Sequence, residues 1–93
     1  MVVGILKLKL QIPKSNSLKR KRMVLKSIKD RVRNNFNVSV MEADHQDKWQ
    51  VTLLAFACIG PYSGLVNSTL SKIVDFTSDV NGAVLLDYEM EMI

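Results

Sequence analysis

Hydrophobic and polar residues alternate in four stretches of the chain, which is the pattern of strands with one buried face. Stretches 2–12 and 83–92 predict a first and a last strand. Stretches 37–43 and 49–59 flank a polar turn and predict a hairpin. In the last strand, alternation places one set of side chains on the same face: Val84, Leu86, Tyr88 and Met90.

Two other stretches have apolar residues at helical spacing. The first helix is predicted to begin after Ser17, a suitable N-cap, and to end near Asn35. The second is predicted over roughly 62–76. The order β-α-β-β-α-β predicts one α+β domain over 1–93, a ferredoxin-like sandwich with an antiparallel four-stranded sheet and two helices on one face. One side of the first helix is predicted to carry Leu18, Val24, Leu25, Ile28 and Val32.

The predicted strand 49–59 is apolar on both faces, although two helices cover only one face of such a sheet. An apolar patch on the other face is typical of an interface. We therefore expect a homodimer that forms through the open face. The residues predicted for this interface are Met41, Leu54, Phe56 and Leu85.

Charge divides the chain into a basic and an acidic part. Residues 1–35 carry a net charge of +10 and the remainder −6, which together give +4. The predicted sheet brings Lys7 and Lys9 opposite Asp87, Glu89 or Glu91, so these two lysines are expected to be structural. The basic residues that then stand out lie on the first helix.

Four consecutive cations, Lys19 to Arg22, begin that helix. Cations are unfavourable at a helix N-terminus, which already bears partial positive charge, so stability alone does not account for them. A bound phosphate would reverse this effect; the alternative is a solvated helix face. The residues predicted to bind anions or nucleic acid are Lys14, Ser15, Ser17, Lys19, Arg20, Arg22, Lys26, Lys29 and Arg33.

The polar turn holds the chain's single His and single Trp. A structural hairpin is the simpler interpretation, with Asp side chains bonding turn amides, and a recognition surface is the alternative. No metal site is predicted because nothing nearby completes a ligand set. The residues concerned are Asp44, His45, Gln46, Asp47 and Trp49.

Catalysis and membrane insertion are not expected. The sequence has no nucleophile elbow, no glycine-rich phosphate loop and no HExxH motif, and we predict no cofactor. Cys58 lies in an apolar strand and is interpreted as packing. The uncharged stretch 49–71 contains Gly60 and Pro61, and its apolar part is too short to span a bilayer. A cytoplasmic location is expected.

The segments IPKSNSLKRKRMVLKSIKDRVRNNFNVSV, EADHQDKWQ and LLDYEME resemble the small bacterial YlxP-like family. The resemblance covers nearly the whole chain. It implies a ferredoxin-like fold, in agreement with the strand order above. Genes of the family often lie beside those for translation initiation factor two and ribosome-binding factor A, which implies a role in ribosome assembly or translation. The resemblance brings no catalytic residues.

We therefore expect a nonenzymatic protein associated with ribosomal RNA or a ribosomal subunit, whose basic helix contacts phosphate. The alternative is a protein-interaction or small-ligand module that acts through the open sheet face or a dimer groove. A phosphate-handling enzyme of acylphosphatase-like fold ranks below both, because no glycine-rich loop follows the first strand.

Overall fold

The computed structural model describes residues 1–12, 18–43, 51–80 and 82–93. Its elements follow the predicted order β-α-β-β-α-β, which confirms the fold class. They are β1 (Val2–Gln11), α1 (Leu18–Asn35), β2 (Ser39–Glu42), β3 (Val51–Gly60), α2 (Ser63–Ser78) and β4 (Val84–Met92).

The strands form one antiparallel sheet in the order β2-β3-β1-β4. Strands β1 and β3 are central, and Leu6 pairs with Phe56 while Leu8 pairs with Leu54. Residues directly opposite each other in an antiparallel pair share a face of the sheet. The leucines of β1 and the large side chains of β3 therefore lie on the same face, beneath both helices.

The core lies between that face and the helices. The helices contribute Leu25, Ile28 and Val32 from α1 and Val66, Leu70 and Ile73 from α2. Seven of the buried side chains come from the two central strands: Leu6, Leu8, Leu10, Thr52, Leu54, Phe56 and Cys58.

The predicted interface set was wrong for three of its four residues. Leu54 and Phe56 are buried under the helices, at 0% and 1% exposed. Their face follows from the register with β1, and alternation along a strand that is apolar on both sides does not reveal it. Of the predicted set, Met41 does lie on the open face, where it pairs with Ala55 and is 59% exposed.

A β-bulge explains the error at Leu85. The register between β1 and β4 shifts between Lys9 and Leu10, so Lys9 pairs with Asp87 and Leu10 pairs with Leu85. The extra residue reverses the alternation on one side of the bulge. Leu85 therefore packs against the core, and the prediction that Val84 shares a face with Met90 was also wrong.

Helix α2 packs closely on strand β1 at Gly4. A Cβ atom there would collide with Val66 Cγ1 and lie 2.8 Å from Leu70 Cδ1. We expect Gly4→Ala to lower the free energy of unfolding by about 1–3 kcal/mol, because the helix must shift to make room. Urea denaturation measures this change.

Gly64→Ala is the matched control. A Cβ at Gly64 would meet nothing nearer than the Tyr62 ring at 3.6 Å, and alanine is favoured over glycine in a helix. This variant should be at least as stable as the wild type. Equal stability of Gly4→Ala and wild type would contradict the close packing of α2 on β1.

Candidate anion-binding surface

One flank of α1, next to the side that packs on the core, carries a stripe of cations, which we call the basic face. At about 100° per residue, these cations lie on one side of the helix, adjacent to the buried side. The stripe covers the 15 residues from Lys19 to Arg33, or about 21 Å along the helix axis. The basic face comprises Lys19, Arg22, Lys26, Lys29 and Arg33.

One cation of the helix has a structural role that the sequence analysis missed. Lys21 is buried at 6% exposed, and its Nζ donates a hydrogen bond to the carbonyl oxygen of Val51 at 3.2 Å. Its position continues the helical spacing of the buried residues Leu25, Ile28 and Val32, with intervals of 4, 3 and 4, and this spacing was the signal available in the sequence. Lys21 thus ties the first turn of α1 to the start of β3.

Two members of the basic face hold α1 against the edge strand β2. Lys29 Nζ forms a partly buried ion pair with Glu42 Oε1 at 3.0 Å. Arg33 Nη2 donates to the carbonyl oxygen of Val40 at 3.2 Å. Since both cations contact β2, the C-terminal end of the basic face helps to stabilise the fold and is less available to a ligand.

Asp30 is the acid of α1 and lies among these cations. Lys26 Nζ donates to Asp30 Oδ2 at 2.8 Å, and Arg33 Nη1 lies 4.0 Å from Asp30 Oδ1. The hydrogen bond from Lys26, opposed by some desolvation and aided by the charges of Lys26, Arg33 and Lys29, lowers the pKa of Asp30 below its usual value. Asp30 therefore remains ionised at neutral pH and cancels part of the charge of the basic face.

The first two turns of α1 carry the most accessible positive charge. Lys19 and Arg22 are exposed and make no ion pair with any residue in the described ranges. Among the described residues Lys26 pairs with Asp30 of the same helix, and its side chain is still 77% exposed. Arg20 is exposed as well, on a neighbouring side of the helix. No acidic residue occurs in the first turn of α1.

The basic face as a whole remains positive. Its five cations lie beside two carboxylates, Asp30 and Glu42, which leaves a net charge of +3. Of the predicted anion-binding residues, the structure brings six onto α1 as expected. Lys14, Ser15 and Ser17 lie outside the described residues, and so do the predicted N-cap and the hairpin residues Asp44, His45, Gln46, Asp47 and Trp49.

The described residues contain no other obvious chemical site. No three His, Cys, Asp or Glu side chains among them are grouped so as to hold a metal ion. Cys58 is buried in the core, which confirms its interpretation as packing. Within 1–12, 18–43, 51–80 and 82–93, no helix is long and apolar enough to cross a membrane.

Fold and surface together define the chain as a ferredoxin-like α+β protein with a basic first helix. Its relatives identify the family. Residues 3–90 match the family described as "Protein of unknown function (DUF503)". The chain is 36% identical over 75 residues to the uncharacterized protein YlxP of Bacillus subtilis (strain 168), a match that covers 81% of this chain and 82% of that protein. The chain therefore belongs to this YlxP-like family.

Solved structures with little sequence similarity share the fold. The structural-genomics protein YJCS matches with a TM-score of 0.60 and 9% identity, over 96% of each chain. The de novo designed protein Foldit4 matches with a TM-score of 0.56 and 11% identity, over 98% of this chain and 96% of that one. At these identities the likeness concerns the fold alone.

The buried position of Lys21 generates a prediction about stability. Lys21→Ala removes the packed side-chain stem and the hydrogen bond to Val51, and we expect it to lower the free energy of unfolding by about 1–2 kcal/mol. Lys19→Ala changes an exposed residue of the same helix turn and should stay within about 0.5 kcal/mol of the wild type. Urea denaturation of both variants measures the difference. Equal losses would mean that Lys21 is not an anchor.

Proposed function

We propose that this protein is a nonenzymatic RNA-associated protein that contacts phosphate groups through the basic face of α1, with a structured RNA such as that of a ribosomal subunit as its partner. The observation that carries the proposal is the accessible positive charge of Lys19, Arg22 and Lys26. Lys19 and Lys26 are seven residue steps apart, or about 10 Å along the helix axis, with Arg22 between them. Their heads can therefore reach successive phosphates of one strand.

Neighbouring residues support the same proposal. The C-terminal part of α1 is fixed to β2 by Lys29 and Arg33, and Lys21 fixes its first turn. A helix held at both ends presents the remaining cations without a further loss of backbone entropy on binding. Four consecutive cations at its start are unfavourable in the free protein, and a bound polyanion would relieve their repulsion.

Contacts to phosphate position a protein on RNA but carry no sequence information. The basic face offers ammonium and guanidinium groups. The central strands β1 and β3 present no exposed aromatic residue for base stacking, because Phe56, their one aromatic residue, is buried beneath the helices. We therefore expect binding that depends steeply on salt and little on sequence. Shape would then select the RNA.

The direct test is the variant Lys19→Ala/Arg22→Ala, measured by binding to purified small ribosomal subunits and to an unrelated structured RNA. We expect an affinity loss of about tenfold for both ligands, because two phosphate contacts are removed. The slope of log K against log salt should fall by about 1.5. Alanine is a good helix former, so the fold should be unaffected.

Arg31→Ala/Lys72→Ala is the matched control. It removes the same charge from exposed positions away from the basic face, one on α1 and one on α2. Its affinity should stay close to that of the wild type. If the control loses as much affinity as Lys19→Ala/Arg22→Ala, net charge alone drives binding. A variant that changes sequence preference instead would contradict contact through phosphate.

The variant Asp30→Asn is expected to increase RNA affinity rather than reduce it. Removing this carboxylate raises the net charge of the basic face by one and releases Lys26 and Arg33 from their partner. We expect RNA affinity to rise several-fold at low salt and the gain to shrink as salt screens it. Fluorescence anisotropy with a labelled RNA measures the change.

The lowered pKa of Asp30 predicts how the difference in RNA affinity between Asp30→Asn and the wild type depends on pH. Asp30 titrates below its usual range, so its charge does not change between about pH 5 and 8. The advantage of Asp30→Asn should therefore be constant across this interval and shrink only in acid, where the wild-type carboxyl itself becomes neutral. Unchanged or weaker RNA binding by Asp30→Asn at pH 7 would contradict the role of the basic face.

A further inference from the structure

The second face of the sheet is uncovered and lies apart from the basic face. It carries the alternate side chains of the two central strands, which are mostly apolar, and Met41 of β2. Ile59 and Ile93 are 56% and 69% exposed at one end of it. We call this surface the open face. From the central strands it contains Val3, Ile5, Lys7, Lys9 and Gln11 of β1 and Val51, Leu53, Ala55, Ala57 and Ile59 of β3.

The open face carries a row of lysines along β1 and a row of acidic residues along the neighbouring strand β4. Lys7 pairs in register with Glu89, and Lys9 pairs with Asp87, which confirms the predicted juxtaposition. None of these four side chains, however, forms an ion pair with any residue of the described ranges. They line a shallow groove of about 380 Å³, together with Leu53 and Tyr88.

The arrangement is self-complementary. Suppose that two copies stack with their open faces together. A two-fold axis can then run between the two sheets, parallel to the strands and above the gap between β1 and β4. Such an axis places β1 of each copy over β4 of the other, because it exchanges the two strands and preserves height along them. Lys7 then meets Glu89 of the other copy, and Lys9 meets Asp87. At one end of the strands, Val3 meets Ile93.

We propose that this chain forms a homodimer through its open face, in which Lys7 and Lys9 of each copy pair with Glu89 and Asp87 of the other. Two sheets packed face to face lie about 10 Å apart, which is the distance that a lysine and a carboxylate side chain bridge together. The same contacts occur twice by symmetry.

Charge favours this stacking over pairing between sheet edges. Strand β4 is an edge strand of nine residues, and Asp87, Glu89 and Glu91 lie on its open-face side. Two copies of β4 paired side by side would bring these acids together, which is destabilising. Strand β2, the other edge, has only four residues. The open face is therefore the surface through which a second copy fits.

The size of the sheet limits the strength of the dimer. Four strands of up to ten residues offer at most about 600 Å² per copy, at the low end of specific interfaces. We therefore expect a dissociation constant in the micromolar range. Because charge pairs hold the two copies in register, dissociation should be promoted by salt.

A charge-exchange experiment tests the dimer. The acidic variant carries Lys7→Glu/Lys9→Glu and the basic variant carries Asp87→Lys/Glu89→Lys. Each variant alone should associate at least tenfold more weakly than the wild type, since like charges then face each other. An equimolar mixture should recover association close to that of the wild type, because both halves of the interface become complementary. Sedimentation velocity up to about 300 µM, at low salt and at about 0.5 M salt, measures all of them.

Arg31→Glu/Lys72→Glu is the matched control, with the charge change of the acidic variant placed on exposed helix positions. It should dimerise as the wild type does. Circular dichroism melts establish that each variant is folded; if a double variant is not, the pair Lys7→Glu and Glu89→Lys replaces it. A wild type that stays monomeric at about 300 µM, or variants that fail to associate when mixed, would overturn the proposal and leave the open face to another partner.

Discussion

The pairing of β1 with β3 is the constraint on which the rest of the structure depends. Leu6 opposite Phe56 and Leu8 opposite Leu54 set which face of the sheet is covered by helices. A shift of one residue would move the large side chains of β3 to the other face. The same pairing leaves Lys7, Lys9 and the small residues Ala55 and Ala57 on the open face. Core and open face are thus two consequences of one register.

Helix α1 divides its cations between the fold and the solvent. Lys21 reaches a backbone carbonyl at the start of β3, and Lys29 and Arg33 reach β2. These contacts satisfy three of the charges within the chain and fix the helix direction. Lys19 and Arg22 have no such contact with the described residues, and they lie where the helix dipole makes cations unfavourable. The proposed RNA contact depends on these two cations, together with Lys26. In the proposed dimer both basic faces stay exposed, on opposite outer surfaces, so dimerisation leaves each of them accessible to RNA.

The sequence pattern correctly predicted the order of the helices and strands. It did not predict which side chains of β3 and β4 face the helices. Strand β3 is apolar on both faces, so alternation left its orientation open, and the small size of Ala55 and Ala57 beside Leu54 and Phe56 was the signal that would have decided it. The bulge beside Lys9 reverses alternation in β4 and is not visible in the pattern. The buried position of Lys21 was not predicted, because a lysine is rarely buried and its spacing with the apolar residues of α1 was not considered. Two features were correctly predicted. Six of the predicted anion-binding residues lie on α1, and Lys7 and Lys9 lie opposite Glu89 and Asp87, because these positions follow from the order and pairing of the elements.

The most direct test of the RNA proposal locates the RNA-binding surface on the protein rather than measuring the affinity. Titration of ¹⁵N-labelled protein with a structured RNA, followed by amide chemical shifts, reports which surface meets the ligand. We expect the shift changes to concentrate on the first turns of α1, around Lys19, Arg22 and Lys26, and to fade as salt is added. Shifts centred on the open face around Lys7 and Leu53, or none at concentrations where small ribosomal subunits bind, would contradict it.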